Sequence, residues 1–126
     1  MDTVTVIVFE RAARWEAELQ GQFNGQTVRV RGCRSAEEIG SLAAEGGDGV
    51  VVVDLREAEA EVLRFLEKWD DHWPVLVVGP ATAGDLEWPL RELGARDLVL
   101  EPLSPNRLAR LCLRAAGGIK QGQANG

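Results

Sequence analysis

The sequence predicts an α/β domain whose parallel sheet is covered by helices on both faces. Five short segments rich in Val, Ile and Leu recur along the chain, and most are continuously apolar, as strands buried on both faces are. Segments with helical spacing separate them, and alternation of strands and helices is typical of a parallel sheet. The length of 126 residues suits one domain with a substantial core.

The central strand is the most distinctive of these segments. Four consecutive valines, residues 50–53, stand between a glycine cluster and the single carboxylate of Asp54. The second strand alternates strictly in TVRVR, which places it nearer an edge of the sheet. The five predicted strands span residues 3–9, 27–31, 50–53, 75–78 and 98–100.

Helix signals fill the intervals between the strands. Ser35 and Glu38 form a capping box, and Ser104 before Pro105 is a strong start signal for the last helix. On the outward face of the third helix, Glu61 and Arg64 have a spacing that favours an ion pair. The predicted buried positions are Ala12, Trp15, Leu19 and Phe23; Ile39, Leu42 and Ala43; Ala58, Val62, Phe65, Leu66 and Trp69; and Leu108, Leu111, Cys112 and Ala115.

Two segments are harder to assign. Pro89 lacks a backbone donor, so the helix within residues 81–95 either begins near Trp88 or is kinked at the proline. The last residues are rich in Gly, Gln and Asn. We therefore expect a domain over residues 1–117 and a flexible tail over residues 118–126.

The order of elements restricts the topology. Right-handed crossovers favour a doubly wound, flavodoxin-like sheet of five strands in the order 2-1-3-4-5. Ligands of such sheets bind beyond the carboxyl ends of the strands. In this order that crevice is lined by Phe9, Glu10, Asp54, Gly79 and Glu101.

Composition excludes several classes of function. The net charge of −6 argues against sequence-independent nucleic-acid binding and against an anionic membrane surface. No apolar run approaches the roughly 20 residues that span a bilayer, and the first residues have no signal-peptide features, so we expect a cytoplasmic protein. Cys33 and Cys112 fit no metal or redox motif, and Cys112 is expected to be a buried free thiol. The single histidine, His72, lies in a polar turn and is expected at the surface.

One stretch resembles a known family. Residues 93–105, LGARDLVLEPLSP, together with Asp54 after the valine strand, resemble the signature of response-regulator receiver domains, the CheY-like family. The resemblance covers roughly residues 3–117. It implies a bacterial two-component or phosphorelay pathway, in which Asp54 stands at the position that accepts a phosphoryl group from a histidine kinase.

The other family positions are altered. The resemblance implies an acidic pair for Mg²⁺, but only Glu10 is acidic and Phe9 replaces its partner. Gly79 stands where a Thr or Ser is implied, and Glu101 stands where a lysine is implied, although Pro102 is kept. Replacing a cation by a carboxylate changes attraction of a phosphoryl group into repulsion, and phosphoryl transfer depends on charge neutralisation.

These departures favour an atypical receiver-like domain that is not an enzyme, needs no cofactor and acts through protein–protein interaction. The alternative is a working phosphoacceptor that uses Mg²⁺, with Glu10 and Asp54 as ligands. Arg11 or Arg56 could fold over the crevice, or a metal could bridge Glu10, Asp54 and Glu101, but a solvated loop carboxylate at Glu101 is the preferred interpretation. A small-molecule site in the crevice has no support beyond the fold.

The resemblance also implies a partner or homodimer surface formed by the fourth helix, the fifth strand and the fifth helix. On the last helix, Leu113 lies off the buried stripe, which would leave an apolar group among arginines. Trp73 and Trp88 flank the fourth strand and the segment after it, and two alternatives are open for them: partial exposure, which would allow them to anchor a partner, or partial burial under the loops. The candidate surface residues are Trp88, Arg91, Arg107, Arg110, Leu113 and Arg114.

Overall fold

The computed structural model describes residues 3–23, 27–70 and 73–125, with side chains described up to residue 117. Five parallel strands form one sheet in the order β2-β1-β3-β4-β5, which confirms the predicted flavodoxin-like topology. The strands are β1 (Val4–Phe9), β2 (Val28–Cys33), β3 (Asp48–Asp54), β4 (Val75–Gly79) and β5 (Asp97–Leu100).

Helices connect the strands as predicted, except that the first helix begins at Trp15 and the expected burial of Ala12 is wrong, since Ala12 is exposed in the loop before it. They are α1 (Trp15–Gln22), α2 (Ala36–Ala43), α3 (Glu59–Lys68), α4 (Glu87–Glu92) and α5 (Pro105–Asn125). The backbone of α5 continues past the predicted domain end. The flexibility of residues 118–126 stays a prediction, and residue 126 lies outside the described part.

The segment before β5 combines two helix types. A 3₁₀ helix, Ala81–Leu86, leads directly into α4. Pro89 lies in the first turn of α4, where a backbone N–H would have no acceptor within the helix, so the lack of one in proline costs no hydrogen bond. Of the two alternatives for this segment, a helix that begins near Trp88 is therefore correct.

The valine strand separates two layers of core. Val51 and Val53 face the side covered by α2, α3 and α4, whereas Val50 and Val52 face the side covered by α1 and α5. All four are fully buried. Burial on both faces explains why this strand is continuously apolar, since neither face is available to polar side chains.

The tryptophans differ in burial, and both cysteines are buried. Trp15 is fully buried, and Trp88 is 70% exposed. Trp73 is buried and donates from Nε1 to the Gly47 carbonyl at 3.2 Å, so burial is the correct one of the two alternatives for Trp73. Cys33 and Cys112 are buried free thiols. The prediction for His72 lies outside the described residues.

The start of α2 differs from a simple capping box. Ser35 Oγ lies 3.1 Å from a carboxylate oxygen of Glu38, and that carboxylate accepts a bond from the Arg34 amide. The Ala36 amide instead donates to Glu61 Oε2 at 3.1 Å. Glu61 also pairs with Arg11, so the expected Glu61–Arg64 pair does not form. Within the described residues, no helix is long and apolar enough to cross a membrane.

Candidate functional site

The five predicted crevice residues lie at the carboxyl edge of the sheet. The register aligns Phe9 with Val53, and Gly79 with Leu100, so the strand ends meet at one edge. The Glu101 amide donates to the Gly79 carbonyl at 2.9 Å, which continues the pairing of the last two strands into the loop. The topology therefore brings the predicted strand ends together, but the expectation that Phe9 lines the crevice is wrong, because its side chain is fully buried in the core.

Asp54 ends β3 in a nearly buried position. Its exposed fraction is 8%, and Oδ1 accepts a hydrogen bond from the Arg56 amide at 2.9 Å. Burial raises the pKa of the Asp54 carboxyl above its ordinary value, because the ionised form loses solvation. The Arg56 hydrogen bond and charge oppose this effect on the pKa, and the carboxylates of Glu101 and Glu10 add to it.

The Glu10 carboxylate caps the start of α1. Its side chain is 3% exposed, and its two carboxylate oxygens accept bonds from the amides of Trp15 at 2.9 Å and Glu16 at 3.1 Å. These amides lack partners within the helix, and a carboxylate at this end also complements the helix dipole. The preceding residue, Phe9, packs in the core on the α2 side of the sheet.

Glu101 is the centre of an ion-pair bridge. One carboxylate oxygen bonds to the guanidinium of Arg14 and the other to that of Arg56. Its side chain is only 15% exposed, so the expectation of a solvated loop carboxylate is wrong. The bridge joins the loops that follow β1, β3 and β5.

The sequence indicated only part of this bridge. Of the two arginines expected to be able to fold over the crevice, Arg56 does so and bonds to Glu101. The other, Arg11, pairs with Glu61 instead. The Arg14–Glu101 pair is not predicted from the sequence, although a glutamate at a position where a cation is implied indicates a new cationic partner nearby. The Arg14 guanidinium also lies 4.1 Å from the ring centroid of Trp15.

Gly79 stands in close packing. A Cβ atom added at this position would lie 3.0 Å from Leu55 Cδ1 and 3.3 Å from Ala83 Cβ. Both neighbours are buried. The space that a hydroxyl side chain would need is therefore largely filled by Leu55.

A cleft of about 570 Å³ opens beside this edge. It lies between the loop after β3 and the 3₁₀ helix, and Arg56, Glu57 and Thr82 are among its lining residues. Within the described ranges, no group of three or more His, Cys, Asp or Glu side chains is placed to hold a metal ion.

The candidate partner surface is only partly as predicted. Arg91 pairs with Glu87 and Asp97. Leu113 is half-buried against the core between α1 and α5, so the expectation of an apolar group exposed among arginines is wrong. Exposed residues of this surface are Trp88, Arg91, Arg107, Arg110 and Arg114.

No protein-family model and no curated protein sequence matches the chain. Solved structures do match. Full-length FixJ from B. japonicum is 20% identical, with a TM-score of 0.72, over 95% of this chain and 62% of that chain. NtrX from Brucella abortus, solved in complex with ADP, is 16% identical, with a TM-score of 0.74, over 95% of this chain and 28% of that chain.

A third similar structure is a single receiver domain. A response regulator receiver domain protein from Clostridium thermocellum is 16% identical, with a TM-score of 0.74, over 94% of this chain and 98% of that chain. The chain thus spans 62% and 28% of the first two proteins and nearly all of the third. The order of the strands and the structural similarity together show that the chain has the fold of response-regulator receiver domains.

Proposed function

We propose that the protein is an atypical receiver-like signalling domain that acts through protein–protein contacts without efficient phosphorylation of Asp54. The observation that carries this proposal is the Arg14–Glu101–Arg56 bridge at the edge where Asp54 lies. The two arginines of the crevice are engaged by an internal carboxylate. They are therefore not free to neutralise a phosphoryl group.

Electrostatics support this proposal. Burial is the main cause of the raised pKa of Asp54, and the Glu101 carboxylate raises it further, against the opposing effect of Arg56. A phosphoryl group on Asp54 would add negative charge to the same region. Two unit charges about 4 Å apart interact by about 4 kcal/mol at an effective dielectric constant of about 20, and phosphoryl transfer depends mainly on neutralising such charge.

The residues do not fit a Mg²⁺ site. Mg²⁺ prefers near-octahedral oxygen ligands, usually including one or two carboxylates. Both oxygens of Glu10 accept amide bonds from α1, and Phe9 offers no oxygen. Using Glu10 as a ligand would weaken the start of α1, so we infer that the protein works without Mg²⁺. We also propose that it is a signalling domain and not an enzyme.

A surface on the side of the molecule formed by α4, β5 and α5 supports the interaction role. Trp88 is the one large apolar side chain that is strongly exposed in the described part of the chain. Tryptophan and arginine are the residues that most often anchor protein interfaces. We propose that Trp88 and the exposed arginines bind a protein partner or a second copy of this chain in the cytoplasm.

Phosphorylation is tested by incubating the protein with Mg²⁺ and acetyl phosphate, followed by intact-mass measurement. We expect no added phosphoryl mass, and we expect the same unfolding temperature with Mg²⁺ and with EDTA. A phosphoryl adduct that disappears in Asp54→Ala would support the working phosphoacceptor instead and would refute the proposal.

The partner surface is tested separately. Immobilised wild-type protein and the variants Trp88→Ala and Asp54→Ala are compared for the proteins that they retain from the native host. We expect Trp88→Ala to lose a partner that Asp54→Ala keeps. Sedimentation of the free protein shows whether that partner is a second copy. The surface assignment is wrong if Trp88→Ala retains every partner.

A further inference from the structure

A groove on the opposite side of the sheet from α5 lies between α2 and α3. Its volume is about 470 Å³. This volume is within the range of about 300–1,000 Å³ that is usual for small-molecule sites. The groove is lined by Ala36, Glu37, Gly40, Glu61, Arg64, Phe65, Lys68 and Trp69.

Aromatic side chains from α3 form the apolar part of the groove. The rings of Phe65 and Trp69 have centroids 5.1 Å apart and are tilted by 35°. The Trp69 indole is held in place because Nε1 donates to the Trp73 carbonyl at 3.1 Å. Phe65 is 8% exposed and Trp69 is half-buried, so the accessible part of the Trp69 indole, backed by Phe65, is the apolar surface that an aromatic ligand could pack against.

Small residues on α2 keep the groove open. Ala36 and Gly40 are one helical turn apart, and both line it. A Cβ atom added at Gly40 would meet no heavy atom within 4 Å. The space beside Gly40 is thus not filled by the chain itself, and a larger side chain there would enter the groove.

The charges along the groove are not balanced within the protein. Glu61 is engaged by Arg11 and by the Ala36 amide, which leaves Arg64 without the partner expected from its sequence spacing. Over residues 3–23, 27–70 and 73–117, neither Arg64 nor Lys68 forms an ion pair. Both are exposed and one turn apart on α3. Glu37 is the remaining carboxylate, so unengaged cations outnumber unengaged anions here.

We propose that this groove binds a small aromatic carboxylate. The aromatic body packs against Phe65 and Trp69, and the carboxylate accepts hydrogen bonds from Arg64 and Lys68. Charge-assisted bonds of this kind are stronger than neutral ones. The site shares no residue with the crevice around Asp54, so it stands independently of the proposed signalling role.

The test uses 2-naphthoate as the probe and 2-naphthamide as its uncharged counterpart. Backbone amide and indole N–H signals of the ¹⁵N-labelled full chain are followed by NMR during titration. We expect saturable shifts confined to α2, α3 and the Trp69 indole. Hydrogen bonds to charged groups are stronger than those between neutral groups, so naphthamide is expected to bind about tenfold or more weakly than naphthoate.

Variants test each part of the site. Gly40→Leu fills the groove and is expected to abolish binding. Gly21→Leu is the matched control, because Gly21 also lies in a helix with open space around it but is outside the groove. Arg64→Gln with Lys68→Gln is expected to weaken naphthoate by about tenfold while leaving naphthamide unchanged, and Arg114→Gln is its control on α5.

The outcomes separate clearly. Local shifts that are lost in Gly40→Leu and kept in Gly21→Leu support the site. Shifts spread over the whole protein, equal affinity for the acid and the amide, or binding that persists in Gly40→Leu would each overturn it. The double glutamine variant changes only exposed side chains, so its result does not depend on tolerance of a larger residue at Gly40.

Discussion

Arg56 donates from its guanidinium to the carboxylate of Glu101, while its backbone amide donates to Asp54. One residue therefore joins the end of β3 to the loop after β5. With Arg14 on the other oxygen of Glu101, the bridge also reaches the loop after β1. The bridge between Glu101 and the two arginines therefore links the loops that follow three of the strands ending at the crevice, β1, β3 and β5.

Replacing Glu101 by lysine should destabilise the fold. The change breaks both ion pairs and places three cations together. Partly exposed pairs contribute at most about 1 kcal/mol each, so we expect a loss of about 1–2 kcal/mol in the free energy of unfolding, measured with urea. Glu92→Lys is the matched control, because Glu92 is exposed and the charge change is equal. Equal stability of the two variants would mean that the bridge contributes nothing.

Glu10→Ala should weaken the start of α1. The substitution leaves the amides of Trp15 and Glu16 without their acceptor in a region that is largely buried. Loss of a helix cap with unsatisfied donors costs about 1–3 kcal/mol, measured by urea unfolding followed by circular dichroism. Glu10→Gln keeps one acceptor oxygen and should lose less. Equal losses in the free energy of unfolding for Glu10→Ala and Glu10→Gln would show that the acceptor oxygens of Glu10 are not the source of its contribution to stability.

Asp54→Asn should make the protein more stable at neutral pH. The folded-state pKa of Asp54 is raised from 3.8, chiefly by burial. Below pH 3.8 the Asp54 carboxyl is protonated in both the folded and the unfolded state, so Asp54→Asn gives no electrostatic gain in stability over wild type. As the pH rises through this value the unfolded state ionises first, so wild-type stability falls until the folded carboxyl also ionises.

The difference between Asp54→Asn and wild type should therefore grow from acid to neutral pH and then level off. Urea midpoints across that range measure it, and comparison of the two proteins at each pH cancels the other titrating groups. Asp85→Asn serves as a control at an exposed carboxylate that forms no ion pair within the described residues. A stability difference that shrinks as the pH rises would contradict the direction of the Asp54 pKa shift.

Gly79→Ala should be destabilising, even though alanine loses less backbone entropy on folding than glycine does. The new methyl group would press on Leu55 and Ala83, and overpacking of this kind costs about 1–3 kcal/mol. Gly84→Ala is the control, since its nearest contact would be an ordinary 3.6 Å from Leu100. Adding Leu55→Ala should reduce the cost of Gly79→Ala, as coupled neighbours do. Additive effects in thermal or urea unfolding would exclude this contact as the cause.

Sequence alone determined the sheet and the location of the crevice. The valine run, the alternation of strands and helices, and the order of the connections depend on burial and chain geometry, which local patterns express directly. Asp54, Glu10, Gly79 and Glu101 were placed at one edge of the sheet for the same reason. Their identities led to the expectation of an altered receiver site, which stays a prediction.

Tertiary structure alone decided how those residues are used. The partners of Glu101, the commitment of Glu10 to α1 and the pairing of Glu61 with Arg11 join residues far apart in the chain. Long charged side chains can choose among several partners, and sequence spacing ranks only the neighbours on one helix. Among the described residues Arg64 therefore has no ion-pair partner at the α2–α3 groove, whereas Arg56 is paired with Glu101 at the crevice, because of contacts that only the folded chain creates.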